Sequence, residues 1–244
     1  MKRLTAPIAP PDFTMILDRD GACVLDEVVP PVAMRGLIAA IESVNASQAV
    51  RQRRNGTFAV RNALRELPAA VAIADHPSIQ SLARTIVGTN AMITRAIIFD
   101  KNPDANWAVP WHQDTTIAVM EKIDTPGFGP WSVKAGVVHV QPPAEVLDRM
   151  VTLRIHLDDC DSSNGALQVL PGSHGDGVLS NEQIEAWKQR VSPLTCEARA
   201  GGVVLMRPLV LHASAPAASP RHRRVLHLEF AGNTLPNDLR WANA

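Results

Sequence analysis

Apolar residues recur along the chain in two rhythms. Three stretches carry them at helical spacing. Over 32–47, after Pro30 and Pro31, Leu37, Ile38, Ile41 and Val44 fall on one stripe. Over 77–87 the stripe is Ile79, Leu82, Ala83, Ile86 and Val87, with Asp75 or Ser78 as the expected cap and Gly88 where a left-handed stop belongs. Over 181–191, Ser180 and Gln183 read as a capping box ahead of Ile184, Trp187 and Val191. Elsewhere, short apolar or alternating runs between turn residues predict strands at 22–25, 91–99, 116–119, 136–140, 150–157, 166–170, 195–199, 202–206 and 223–230. The 19 prolines and 14 glycines are spread throughout, which favours many strands over a few long helices. No repeat, low-complexity tract or Gly/Ser linker divides the chain, so 1–244 is expected to form a single domain. Helices near the front and a strand-rich body predict an α+β fold, mainly β, built on a sandwich or barrel.

Composition narrows the function classes. With 244 residues, 46% hydrophobic and 20% charged, the chain can bury a core without disulfides or a structural metal. Lys+Arg and Asp+Glu both number 24, and this balance argues against a general nucleic-acid binder. Cys23, Cys160 and Cys196 are scattered, with no CxxC, so neither a disulfide framework nor a zinc ribbon is expected, and a reducing compartment is. The segment before Phe13 has basic Lys2 and Arg3 but no continuous apolar run, and the runs 202–206 and 209–211 are too short to cross a bilayer. A soluble, cytoplasmic protein without a membrane partner is expected. The chain has no phosphate-binding GxxxxGK[ST], no GxGxxG after a strand, no HExxH and no GxSxG.

Histidine followed two residues later by a carboxylate is the chemistry-bearing pattern that does occur. Eight histidines and the chain's carboxylate frequency predict roughly one such pair by chance. There are four: His112/Asp114, His156/Asp158, His174/Asp176 and His227/Glu229. In extended chain, residues i and i+2 face the same side, so both can ligate one metal. A second histidine from a distant strand completes a facial triad, the arrangement of non-haem Fe(II) oxygenases. The gap must hold several strands, roughly fifty residues or more. His212, at an apolar strand end, lies 100 residues after His112, 56 after His156 and 38 after His174, while His227 lies beyond it. Spacing therefore leaves His112/Asp114 and His156/Asp158 both open. His156 and Asp158 also read simply as the polar face of their strand. His112/Asp114 follows a loop, where a site can open to substrate.

Four ordered segments carry a family likeness: Phe99-Asp-Lys-Asn-Pro leading to Pro110-Trp-His-Gln-Asp114; Asn164-Gly-Ala-Leu-Gln-Val-Leu-Pro-Gly-Ser-His174; Gly201-Gly-Val-Val-Leu-Met-Arg-Pro-Leu-Val-Leu-His-Ala-Ser214; and Arg221-His-Arg-Arg-Val-Leu-His-Leu-Glu-Phe230. Together with Asp20–Pro31 and the helix after it, they resemble the phytanoyl-CoA dioxygenase family of Fe(II)/2-oxoglutarate-dependent oxygenases over roughly 20–232. The resemblance implies a double-stranded β-helix, a cupin-like jelly roll buttressed by N-terminal helices, with iron at its mouth. It selects His112, Asp114 and His212 as metal ligands. It places the arginine for the distal carboxylate of 2-oxoglutarate eleven residues after the far histidine, at Arg223 rather than Arg221 or Arg224. Ser214 matches a family hydroxyl on that carboxylate, and Lys101 is a further cosubstrate candidate. The guanidinium fork suits a carboxylate and stays charged at any working pH.

The implied reaction uses dioxygen and 2-oxoglutarate to oxidise, usually hydroxylate, an unactivated C–H bond of a small molecule, releasing succinate and carbon dioxide. Halogenating relatives replace the carboxylate of the triad with a small residue, so Asp114 favours oxidation over halogenation. Two other readings are a non-catalytic jelly-roll binding module and a cupin-type metalloenzyme that needs no keto acid. Gly165 and Pro171–His174 read as turn formers. Trp107, Trp111 and Trp131 flank the near motif, as packing or as an aromatic pocket wall. Lys134, His139, Gln141 and Arg154 are polar residues that spacing alone does not assign to substrate, and nothing in the sequence selects one substrate.

Overall fold

Alternation along one strand sorts the molecule into layers. In Arg223–Ala231, the side chains of Leu226, Leu228 and Phe230 join the main apolar cluster, while Arg223, Val225, His227 and Glu229 share the opposite face. The computed structural model describes residues 3–5, 10–47, 49–53 and 56–242. This strand lies in an eight-stranded sheet ordered Arg3–Thr5, Ala22–Asp26, Val203–Met206, Met150–His156, Arg223–Ala231, Met92–Lys101, Gly56–Arg61 and Val50–Arg53. All neighbours are antiparallel except the first pair.

One face of this sheet is apolar. Cys23, Leu25, Leu153, Ile155, Leu205 and the three residues above pack beneath Leu37 and Ile41 of the helix Pro31–Ser43, Ile73 of Ala69–Ala74, and Ile79 and Ala83 of Pro77–Val87. The other face meets a four-stranded sheet ordered Leu194–Cys196, Leu167–Val169, His212–Ser214 and Val109–His112. Val24, Val204 and Met206 from the large sheet pack there on Leu167, Val169 and Cys196. From Met150 onward the chain alternates between sheets: large, small, small, large, small, large. This is the expected jelly roll, a double-stranded β-helix. A three-stranded sheet, Ile117–Val119, Val137–Val140 and Trp131–Lys134, stands beside it.

The helix Pro77–Val87 lies where periodicity puts it, and Gly88 follows with φ +97°. Its cap is neither Asp75 nor Ser78. The ring of His76 accepts from the Ser78 amide (3.3 Å). The first predicted helix stops at Ser43 because Val44 is extended, so 44–47 is not helical. The capping box at Ser180/Gln183 forms, and its helix runs Asn181–Arg190. Helices at Pro10–Asp20, Ala63–Glu66, Ala69–Ala74 and Ala144–Leu147 add to the three expected. Cys23, Cys160 and Cys196 are buried and form no disulfide among the described residues. Among the described residues no helix is long and apolar enough to cross a membrane.

Candidate active site

Where the small sheet meets the polar face of the large one, His112 and His212 are direct cross-strand partners. Their strands slip register between His212 and Ser214, a bulge of the kind that re-aims side chains. The two rings lie 4.2 Å apart, centroid to centroid. Asp114 completes the group, its Oδ2 3.8 Å from His212 Nε2. One ligating atom from each of the three falls within 4.8 Å of the others. Gln113, between His112 and Asp114 in the chain, turns away. Its amide donates to the Gly177 (2.8 Å) and Leu209 (2.7 Å) carbonyls, and its oxygen accepts from the Leu179 amide (2.8 Å). Those bonds fix the alternation that aims His112 and Asp114 together.

The protonation states suit a cation. A carbonyl can only accept, so His112 Nδ1–H donates to Pro110 (2.8 Å) and His212 Nδ1–H to Val210 (2.9 Å). Each Nε2 is left with its lone pair, the arrangement second-sphere bonds impose on metal-binding histidines. Burial lowers the His212 pKa to about 4 despite the pull of Asp114. Burial alone would raise the Asp114 carboxyl, but the charges of His212, His227, Arg95 and His112 hold it well below the usual carboxylate range. Two imidazoles whose Nδ1–H bonds turn Nε2 toward one another's side, with an anionic carboxylate, form an oxygen- and nitrogen-rich donor set that fits Fe(II).

The competing histidine pair separates. The His156 ring is buried without a hydrogen-bond partner among the described residues. Asp158 lies beyond the strand end and pairs with Arg224 on the outer side (2.7 Å). Asp114, His227 and Glu229 also cluster within 4.8 Å. However, His227 Nδ1 accepts from Arg154 (3.0 Å) and its Nε2–H donates to Glu229 (3.1 Å), so neither nitrogen is free to ligate. His174 bonds the Asp18 carbonyl (3.1 Å), far in sequence from the cluster.

Two residues along from His212, Ser214 Oγ accepts from Lys101 Nζ (2.9 Å), which also donates to the Ala215 carbonyl (2.7 Å). Lys101 is the register partner of Arg223. Arg223 donates to the Gly165 carbonyl, while its buried Nε has no partner among the described residues. Gly165 lets the chain after Ser214 pass close beside it. It has φ +67°, and a Cβ there would meet the Ala215 carbonyl oxygen at 2.6 Å. Arg221 instead pairs with Asp161 at the surface, and Arg224 with Asp158 and Glu42. The span from His212 to Ser214 is about 7 Å along the strand, suited to a five-carbon diacid. An orphaned guanidinium N–H, a lysine and a hydroxyl at that distance from the imidazoles fit the distal carboxylate of 2-oxoglutarate.

A cavity of about 220 Å³ opens over His112, Asp114, His212, Ser214 and Arg223, lined also by Trp107, Arg95, Ile97, Phe99 and Arg154, while Lys101 lies buried behind this lining. Of the three tryptophans, only Trp107 is a wall of it. Trp111 packs on Leu170, Leu179 and Leu211, and Trp131 joins the apolar cluster beside the three-stranded sheet. Arg154 faces this cavity, Lys134 and His139 line its neighbour, and Gln141 lines neither. Sequence reasoning passes over the part played by Gln113 and by Arg95, and sets aside, on spacing, the linked pair His227/Glu229. The signal for the last two was polar residues at alternate positions of an otherwise apolar strand.

Residues 17–225 match the family described as phytanoyl-CoA dioxygenase (PhyH). An ectoine dioxygenase of Nocardia farcinica is 25% identical over 252 residues, covering 91% of this chain and 77% of that protein. The crystal structure of EctD from S. alaskensis with bound Fe superposes with TM-score 0.71 at 19% identity, covering 94% of this chain and 79% of that one. The epimerase SnoN in complex with Fe3+, alpha ketoglutarate and nogalamycin RO gives TM-score 0.69 at 18% identity, covering 98% and 96%.

Proposed function

The chain belongs to the phytanoyl-CoA dioxygenase family and is an Fe(II)- and 2-oxoglutarate-dependent oxygenase, and from that premise we propose that His112, Asp114 and His212 hold its iron while Arg223, Ser214 and Lys101 hold the 2-oxoglutarate. The observation that carries this reading is the convergence of three ligating atoms within 4.8 Å beside a buried guanidinium N–H that lacks a partner among the described residues. The net reaction joins one oxygen atom of O2 to a C–H bond of a small molecule as a hydroxyl. The other enters succinate as 2-oxoglutarate loses CO2. Bound iron and keto acid together supply dioxygen activation and the reducing electrons.

The chain's own residues do the rest. His112 and His212, fixed by their Nδ1–H bonds, present Nε2 to the site, and Asp114 supplies one negative charge. Arg223 and Lys101 fix one end of the diacid, so its keto end is oriented toward the triad. Trp107, Phe99 and Ile97 exclude water from one side of the cavity. Residues 1–244 act as one domain in this reading, and three buried cysteines outside any disulfide suit a cytoplasmic setting.

Succinate formation without added substrate tests the assignment. His112→Ala and Asp114→Ala are expected to lose iron-dependent turnover, and Arg223→Ala to weaken 2-oxoglutarate binding roughly ten- to a hundredfold. Wild-type turnover in the Asp114 variant rejects the triad. Unchanged 2-oxoglutarate affinity in the Arg223 variant removes the clamp from that residue, turnover that needs metal but no keto acid marks a cupin-type enzyme instead, and a binding module would take up neither iron nor 2-oxoglutarate.

A further inference from the structure

Next to this cleft lies a second cavity of about 100 Å³, lined by Arg61, Asn62, Arg95, Ile97, Lys134 and His139. Arg95 and Ile97 line both cavities, so the two are adjacent, with these two side chains between them. Arg61 is the register partner of Ile97. Lys134 and His139 come from the hairpin of the three-stranded sheet. Asn62 Nδ2 donates to the Ala135 carbonyl at the tip of that hairpin (3.2 Å), which ties the hairpin to the large sheet. His139 Nδ1–H donates to the Val137 carbonyl (3.0 Å).

The charges in this cavity do not balance. Arg95 has Glu229 as its partner. Among the described residues, neither Arg61 nor Lys134 has a carboxylate within ion-pair distance, and no carboxylate lines the cavity. Burial, then the charges of Arg51 and Arg95, lowers the Arg61 pKa. Burial, then Arg95 and Arg61, lowers that of Lys134 against the weaker opposing pull of Asp114 and Glu229, which lie beyond ion-pair distance. Partly buried cations crowded together are unfavourable unless an anion joins them. The chain as a whole carries 24 basic and 24 acidic residues, so the local excess is not a by-product of general basicity.

We propose that this cavity is a substrate subsite for a compact oxyanion, a carboxylate or phosphonate, gripped by Arg61 and Lys134 while the rest of the substrate reaches past Arg95 and Ile97 to the triad. Its role rests on the oxygenase reading, but its chemistry does not. The substrate therefore carries a negative charge at the end remote from the oxidised carbon. A neutral molecule would leave both cations uncompensated.

Isothermal titration of protein loaded with Mn(II) and saturating 2-oxoglutarate tests this, because the keto acid then blocks the Arg223 clamp. The probes are isobutyrate, methylphosphonate and, as the neutral control, isobutyramide. The expected result is saturable one-site binding of at least one anion and none of the amide. That binding weakens at least tenfold in Arg61→Gln and in Lys134→Gln, each checked for folding by circular dichroism, and is unchanged in Lys122→Gln, an exposed lysine outside the cavity. Isobutyrate alone binding identifies a carboxylate, methylphosphonate alone a phosphonate, and both the shared oxyanion chemistry. Binding of neither anion, equal binding of the amide, or wild-type affinity in both variants overturns the subsite. Titrating 2-oxoglutarate into the same wild-type protein reads the oxygenase site separately. Its failure to bind rejects that reading, while the anion affinities of the variants still decide this one.

Discussion

Lys101 condenses the physics of the site into one side chain. It is 1% exposed, lies 5.7 Å from the Trp107 ring centroid and donates to two neutral oxygens, with no carboxylate partner among the described residues. Burial, and then the charge of neighbouring Arg223, lowers its pKa to about 7. The unfolded chain holds that proton up to an ordinary lysine value near 10.5. Between those limits the unfolded state binds more protons than the folded one, so stability of the ligand-free protein rises with pH across this window. Below about pH 7 both states are charged and the full penalty of burying the ammonium applies. Urea unfolding between pH 7 and 10 should therefore show a pH-dependent gain in wild type that Lys101→Met lacks. Saturating 2-oxoglutarate should remove the gain in wild type as well, because its carboxylate keeps the lysine charged. Superimposable pH profiles for the two ligand-free proteins contradict this account.

At the scale of elements, the strands Met92–Lys101, Arg223–Ala231 and Met150–His156 carry a buried polar chain across them: Arg95 to Glu229, Glu229 to His227, His227 to Arg154. Glu229 is 3% exposed, so removing it strands a guanidinium away from water. Glu229→Ala is expected to cost about 3–5 kcal/mol, whereas Arg95→Met combined with Glu229→Leu should regain much of it. Equal losses in the single and double variants, measured by urea unfolding, count against a charge-burial cause. These same strands show what the sequence makes legible. Their length and alternation mark them as strands, and parity separates Arg224 from Arg223, but parity does not say which face meets the cleft. That depends on the helices, whose stripes at Leu37, Ile41 and Ile79 claim the apolar face. His212–Ser214 and Val109–His112 are too short for periodicity to register and exist through pairing with each other. The helix Pro10–Asp20 hid behind its prolines, although proline suits a first turn, and Phe13 and Leu17 already stood four apart. His76 escaped notice as a cap because histidine is not among the usual capping residues. His112/Asp114 and His156/Asp158 were equal by spacing. What distinguishes them is tertiary: Arg224 draws Asp158 to the outer side, and Gln113 locks its neighbours inward.

Across the whole molecule, the large sheet divides labour between its faces. The outer face and its helices form the principal apolar cluster, while the inner face carries Lys101, Arg154, Arg223, His227 and Glu229 toward the smaller sheet. Because interiors are close-packed, a cavity opened on the outer side lowers stability without moving charges on the inner side, provided the sheet between them stays intact. Ile79 is fully buried among the residues that cluster with Leu153 and Ile155. Ile79→Ala should cost about 2–5 kcal/mol of unfolding free energy. The same variant should bind 2-oxoglutarate in the presence of Mn(II) with wild-type affinity, and ligand should raise its unfolding midpoint as it does for wild type, because stabilisation by a bound ligand depends on concentration and dissociation constant rather than on starting stability. A loss of affinity that tracks the loss of stability means the two faces are mechanically coupled through the sheet, and the separation of fold from chemistry fails.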